Sequence, residues 1–141
     1  MSHPCNLDDP LQYALFHSFE MQAAFTYADM RPGCTDRDKR NSIRMAAFDR
    51  FPETVPPAQW WAVRIFVEKS GRRPFDIENV PKLVIDAFCA KQIAKDGTTD
   101  KFGALGLYPD DTVDYVRLMQ VFGERSINGD RMSVDIFAYA G

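Results

Sequence analysis

Asp76-Ile77-Glu78-Asn79-Val80-Pro81-Lys82 brings two carboxylates, an amide and an ammonium into seven residues, and Asp110-Asp111 adds a second acid pair downstream. Carboxylates at i and i+2 project to the same side of an extended backbone. An acid pair in a later loop can close the set. Such a cluster, all oxygen donors, suits Mg²⁺ or Mn²⁺ better than zinc. Sites of that kind most often hydrolyse or transfer phosphate esters, which makes nucleic acid the first substrate class to consider. Two carboxylates about 4 Å apart repel by roughly 4 kcal/mol at an effective dielectric of about 20. A fold keeps them together where a cation or proton relieves the repulsion, or where water screens it.

Each residue also has a plainer reading. Glu78 complements the dipole of a helix start. Asp110 and Asp111 follow Pro109 and can cap a turn. Lys82 can form a surface pair with Asp86, four residues on, worth a few tenths of a kcal/mol. Taken together they point to metal-dependent phosphoryl chemistry. Asp76, Glu78, Asp110 and Asp111 are the candidate metal ligands. Lys82 is the candidate for contacting the scissile phosphate or for stabilising charge on the leaving oxygen. The basic turn Lys69-Ser-Gly-Arg72-Arg73-Pro74 runs straight into the acids and offers Lys69, Arg72 and Arg73 as nucleic-acid contacts.

The chain around these residues has 141 positions and 16.1 kDa, the size of one domain. Net charge is −3 and the pI is near 5.3, against a strong nonspecific nucleic-acid binder but compatible with a local basic patch. Cys5, Cys34 and Cys89 have no CxxC spacing, which excludes a zinc knuckle and fits a reducing compartment. His3 and His17 leave histidine-led catalysis little material. The longest apolar run, Trp60 to Val67, is short and interrupted by Arg64, so no membrane span is expected. The start of the chain lacks a signal-peptide pattern, and a cytoplasmic location is the expectation.

Residues 1–10 read as a frayed lead-in. Alternation from Leu11 to Tyr27 favours extended structure, with a hairpin or a helix as alternatives. Arg31-Pro32-Gly33 signals a turn. Thr35 or Asp36 can cap a helix to about Phe51, with Ile43, Ala46, Ala47 and Arg50 near its inner stripe. Its opposite face carries Arg37, Lys39, Arg40 and Arg44, a solvated or phosphate-contacting face. Trp60 to Val67 is expected to be a strand with Trp61, Val63, Ile65 and Val67 inward. Asn79 can cap a second helix, with Pro81 in its first turn and Val80, Leu83, Val84, Ala87 and Phe88 as its apolar stripe. Residues 94–106 read as a long loop. Val113 to Phe122 reads as a strand, Asn128-Gly129 as a turn, and Met132, Val134, Ile136 and Ala138 as the inner face of a closing strand that completes a hairpin. The expected fold is one small mixed α/β (α+β-like) domain over residues 1–141.

The run from Arg72 through Asp76, Glu78, Asn79, Lys82 and Asp86 to Phe88, followed by Leu107-Tyr-Pro-Asp110-Asp111-Thr-Val113, resembles the RusA family of Holliday junction resolvases. That family's pattern is an arginine-rich run, Asp-x-Asp-Asn, a lysine three residues later and a downstream Asp-Asp. The resemblance covers about residues 60 to 123. It implies a RusA-like, homodimeric, Mg²⁺-dependent DNA endonuclease, with Mn²⁺ able to substitute, acting on branched or four-way-junction DNA. It places the catalytic set on Asp76, Glu78, Lys82, Asp110 and Asp111. Glu78 stands where the family usually has Asp, and the stretch from Asp86 to Asp110 is longer than usual. The alternatives are a catalytically weak or inactive RusA-like module that binds nucleic acid or a protein, and a phosphoesterase acting on something smaller than a junction.

Overall fold

The computed structural model describes residues 3–27 and 34–140. Its elements are β1 (Tyr13–Met21), α1 (Asp36–Phe48), β2 (Trp60–Lys69), a 3₁₀ turn (Ile77–Asn79), α2 (Val80–Ala87), α3 (Ala90–Lys95), α4 (Thr99–Phe102), a second 3₁₀ turn (Gly103–Leu105), β3 (Val116–Arg125) and β4 (Arg131–Tyr139). They form a single small α+β domain around one mixed sheet of order β1-β4-β2-β3. β4 lies antiparallel between β1 and β2, and β3 runs parallel to β2 at the edge.

The core follows from alternation. Trp61, Val63, Ile65 and Val67 of β2 and Met132, Val134, Ile136 and Ala138 of β4 are all buried on one face. α2 covers that face with Val80, Leu83, Val84, Ala87 and Phe88, the expected stripe. Ile43 and Ala47 of α1 join the same cluster. On β1 the pairing register shifts between Leu15 and His17. A bulge there moves side chains to the other face. His17 is therefore buried against α1 at the Ala47 carbonyl and Phe19 packs on Phe88, while Tyr13 packs with Leu7, Ala62 and Phe137 on the opposite side of the sheet.

Several expectations are corrected. Residues 94–106 are not a loop: α4 and parts of α3 and the second 3₁₀ turn occupy them, because Phe102 and Leu105, with Ile93 just before, are anchored in the core. β3 and β4 are not a hairpin, because β4 passes beyond β2 to lie between it and β1. The crossing is pinned by Asp130, which accepts from Lys69 Nζ, the Ser70 amide and the Ser70 hydroxyl at 2.8, 2.8 and 2.7 Å. The strand expected from Val113 begins at Val116 instead. Within the lead-in, Leu7 is buried and Tyr13 donates to the Pro4 carbonyl at 2.5 Å, so this part is packed, not frayed.

The charged face of α1 is the largest correction. Thr35 caps the helix in a reciprocal capping box with Asp38, as its sequence suggests. Yet Lys39 and Arg44 are fully buried and Arg40 is nearly so, against a sequence reading of a solvated face. Asp96 at the end of α3, a buried carboxylate, draws Arg40 and Arg44 inward, and Lys39 donates to the Thr26 carbonyl at 3.0 Å. The turn expected at Arg31-Pro32-Gly33 lies outside the described residues.

Candidate metal and phosphate site

β2 ends at Lys69, and the chain turns through 70–76 into the 3₁₀ turn and α2. Arg125 of β3 tethers this turn, donating to the Gly71 and Arg73 carbonyls at 3.1 and 2.6 Å. Ile77 then packs on β3 at Gly123, where a Cβ would come within 2.8 Å of its Cγ2. Glycine is what lets the turn sit that close. The notch beneath it, about 190 Å³, is lined by Val67, Lys69, Phe75, Ile77, Gly123, Glu124 and Arg125.

Asp76 precedes the 3₁₀ turn, and its carbonyl accepts from the Asn79 amide at 3.3 Å. The backbone is thus extended at Asp76 but helical at Glu78. The alternation argument for placing both carboxylates on one side does not hold through this turn. Both residues are exposed, and neither side chain makes a hydrogen bond or ion pair with a described residue. Asn79 occupies the cap position of α2 without a side-chain cap bond, and Pro81 falls in the first turn as expected.

Asp110 and Asp111 reach the same helix by another route. The Leu107 amide donates to Phe88 at 2.9 Å, the Ala90 amide to Tyr108 at 2.8 Å, and the Tyr108 hydroxyl to the Ile85 carbonyl at 2.5 Å. These bonds lay the 107–111 segment along the end of α2. Asp111 then meets Lys82, whose ammonium bridges it to Asp86, the second contact being 2.9 Å. Asp110 accepts from the Asp111 amide at 2.9 Å and lies 3.9 Å from Lys91 Nζ. Burial works against the charge on Lys82, but its bonds to Asp111 and Asp86 outweigh that and raise its pKa. The bond from Lys82 holds the Asp111 carboxyl below the usual range.

Lys82, Asp86 and Asp111 are therefore brought together, with Asp110 alongside. Asp76 and Glu78 stand at the start of the same helix. Among the described residues no group of three His, Cys, Asp or Glu converges as metal ligands do. The donors are all oxygens and fit a hard divalent cation in type. Asp76 and Glu78 are open to one, while Asp111 is already neutralised by Lys82.

Of the basic residues, Arg72 and Arg73 are exposed on the tethered turn. Lys69 is not available in the same way. It is committed to Asp130, donates to the Ala24 carbonyl at 3.3 Å and lies 5.0 Å from the centre of the Phe75 ring. Sequence reasoning missed Tyr27, whose hydroxyl donates to Asp86 Oδ2 at 2.5 Å. It also missed Asp96; neither spacing nor composition marks these two residues. Burial first, then the bond to Asp86, raises the Tyr27 pKa, so it remains a neutral donor. Compared with known protein families and curated proteins, the chain matches none.

Proposed function

We propose that the chain is a Mg²⁺-dependent DNA endonuclease of the RusA type, hydrolysing phosphodiesters at branched DNA. The observation that carries this reading is Lys82, an exposed ammonium set between Asp86 and Asp111 on α2, the helix that the exposed acids Asp76 and Glu78 lead into. A lysine bound on both flanks to carboxylates has a fixed direction. It can offer its remaining capacity to a phosphate oxygen as charge builds there. Arg72 and Arg73, on a turn held by Arg125, extend the cationic surface toward flanking phosphates. A divalent cation on the open acids Asp76 and Glu78 would supply an activated water and neutralise charge on the phosphate, with Asp110 or Asp111 having to move toward it to complete the set.

Two related strands at a junction are cut most simply by a twofold dimer, and a homodimer is part of the proposal. Leu11, Leu15, Met119 and Phe122 are exposed apolar residues that support it.

A second reading is a RusA-like module that binds nucleic acid or protein without efficient cleavage. The Lys82–Asp111 pair favours it, since that carboxylate already has a cation, as does Glu78 in place of the family's Asp. A labelled four-way junction incubated with Mg²⁺, beside linear duplex and flap controls, separates the two. Junction-selective nicks support the nuclease. Tight binding with every strand intact supports the module.

A further inference from the structure

The contacts behind Lys82 continue into the protein. Asp86 holds Lys82 with Oδ1 and accepts the Tyr27 hydroxyl on Oδ2, at 2.9 and 2.5 Å. The Tyr27 oxygen in turn accepts from Arg40 Nη1 at 3.1 Å. Arg40 grips Asp96 with two bonds of 2.8 Å, and Arg44 reaches the same carboxylate at 2.9 Å. Arg40, Arg44 and Lys82 thus face Asp86, Asp96 and Asp111, a chain of alternating charge from the end of α3 to the candidate site. Asp86 is the pivot. Its side chain is only 10% exposed, and Tyr27 takes the oxygen that Lys82 does not use.

We propose that Tyr27, backed by Arg40 and Asp96, is a positioning residue that fixes the Asp86 carboxylate and, through it, the Lys82 ammonium. The role gives the helical segment of residues 90–105 a function at the site: its Asp96 holds the far end of this series of contacts. It rests on the nuclease reading only for what Lys82 then does.

The test compares Tyr27→Phe with Tyr13→Phe. Both lose a phenolic hydrogen bond, but Tyr13 bonds to the Pro4 carbonyl, outside the chain of contacts. The first readout is the NMR signal of the Lys82 ammonium, assigned by its loss in Lys82→Gln. Positioning predicts that its protons exchange with water several-fold faster in Tyr27→Phe and at the wild-type rate in Tyr13→Phe. Unchanged exchange in Tyr27→Phe, or an equal rise in both variants, overturns the proposal. The second readout is single-turnover junction cleavage. The expected loss in Tyr27→Phe is about tenfold with affinity unchanged, within the roughly 10²-fold that a displacement of about 1 Å can cause. Faster ammonium exchange without cleavage by the wild type would sink the nuclease reading alone. Cleavage by the wild type with unmoved exchange would sink the positioning role alone. If Tyr27→Phe does not fold, Arg40→Lys keeps a charge near Asp96, lacks the arm that reaches Tyr27, and carries the same expectations.

Discussion

Arg44→Ala is expected to destabilise the protein by about 3–5 kcal/mol, the cost of breaking a buried ion pair from one side. Arg44 is fully buried and uses its guanidinium against three elements. Nε donates to the Ala87 carbonyl at 2.7 Å, and Nη1 to Asp96 and Asn41 at 2.9 and 2.8 Å. Truncation leaves the Ala87 carbonyl without this donor, at about 1–3 kcal/mol for a buried unsatisfied group. Asp96 keeps the two bonds from Arg40, so the carboxylate is not orphaned and the total should fall toward the lower end. Domains of this size have roughly 5–15 kcal/mol of stability in all, so the change is easily measured. Urea unfolding followed by fluorescence, with the slope compared to the wild type, gives the number. A solvated helix face would predict a loss within about 0.5 kcal/mol. A measured loss below about 1 kcal/mol would refute the buried network.

Stability should also fall in acid. Burial pushes Asp96 up, but bonds from Arg40, Arg44 and Gln92 outweigh it and bring the carboxyl from 3.8 down to about 2. A depressed folded-state pKa stabilises above the unfolded value and is lost as pH falls through the folded one. Roughly 2 kcal/mol should therefore disappear between about pH 4 and pH 2. Asp130, brought down to about 2 by Lys69 and Ser70 against its burial, adds to the same slope. Asp96→Asn should flatten the slope in urea titrations, and an unaltered slope contradicts the assignment. For Lys82→Ala, a charge-stabilising role predicts a rate loss on the order of 10²–10³, larger than any loss of junction affinity. If affinity falls instead and its salt slope drops by about one, Lys82 is only a phosphate contact. Light scattering at tens of micromolar, roughly where weak dimers assemble, should give twice the chain mass. A clean monomer there argues against a symmetric resolvase.

Legibility tracked how local the determining physics is. α2 could be read directly because Val80, Leu83, Val84, Ala87 and Phe88 recur at helical spacing, and β2 and β4 because their apolar residues alternate. Thr35 carried its own cap signal. What stayed hidden depends on contacts between distant segments. Nothing near Arg40 or Arg44 announces Asp96, more than 50 residues away, so a charged stripe reads as solvated. Gly and Thr in 97–106 suggest a loop, but Phe102 and Leu105 supply enough burial to fold it into short helices. The acid motif is visible in the sequence, but its i, i+2 spacing has one-sided geometry only on an extended strand, which this segment is not. The 3₁₀ turn closed by Asn79 changes which way Glu78 faces. Tyr27, which bonds Asp86, and Asp96, which bonds Arg40, belong to no motif at all.

Asp76 is exposed just ahead of α2, and its side chain has no partner among the described residues. Asn at this position removes the charge with almost no change in volume. The decisive measurement is the single-turnover cleavage rate of a labelled four-way junction in Mg²⁺ by Asp76→Asn and by the wild type, with matched folding and affinity. Mg²⁺-dependent cutting by the wild type and none by the variant is the expected result. Equal rates in the two proteins, or no cutting by the wild type with either Mg²⁺ or Mn²⁺, would contradict it.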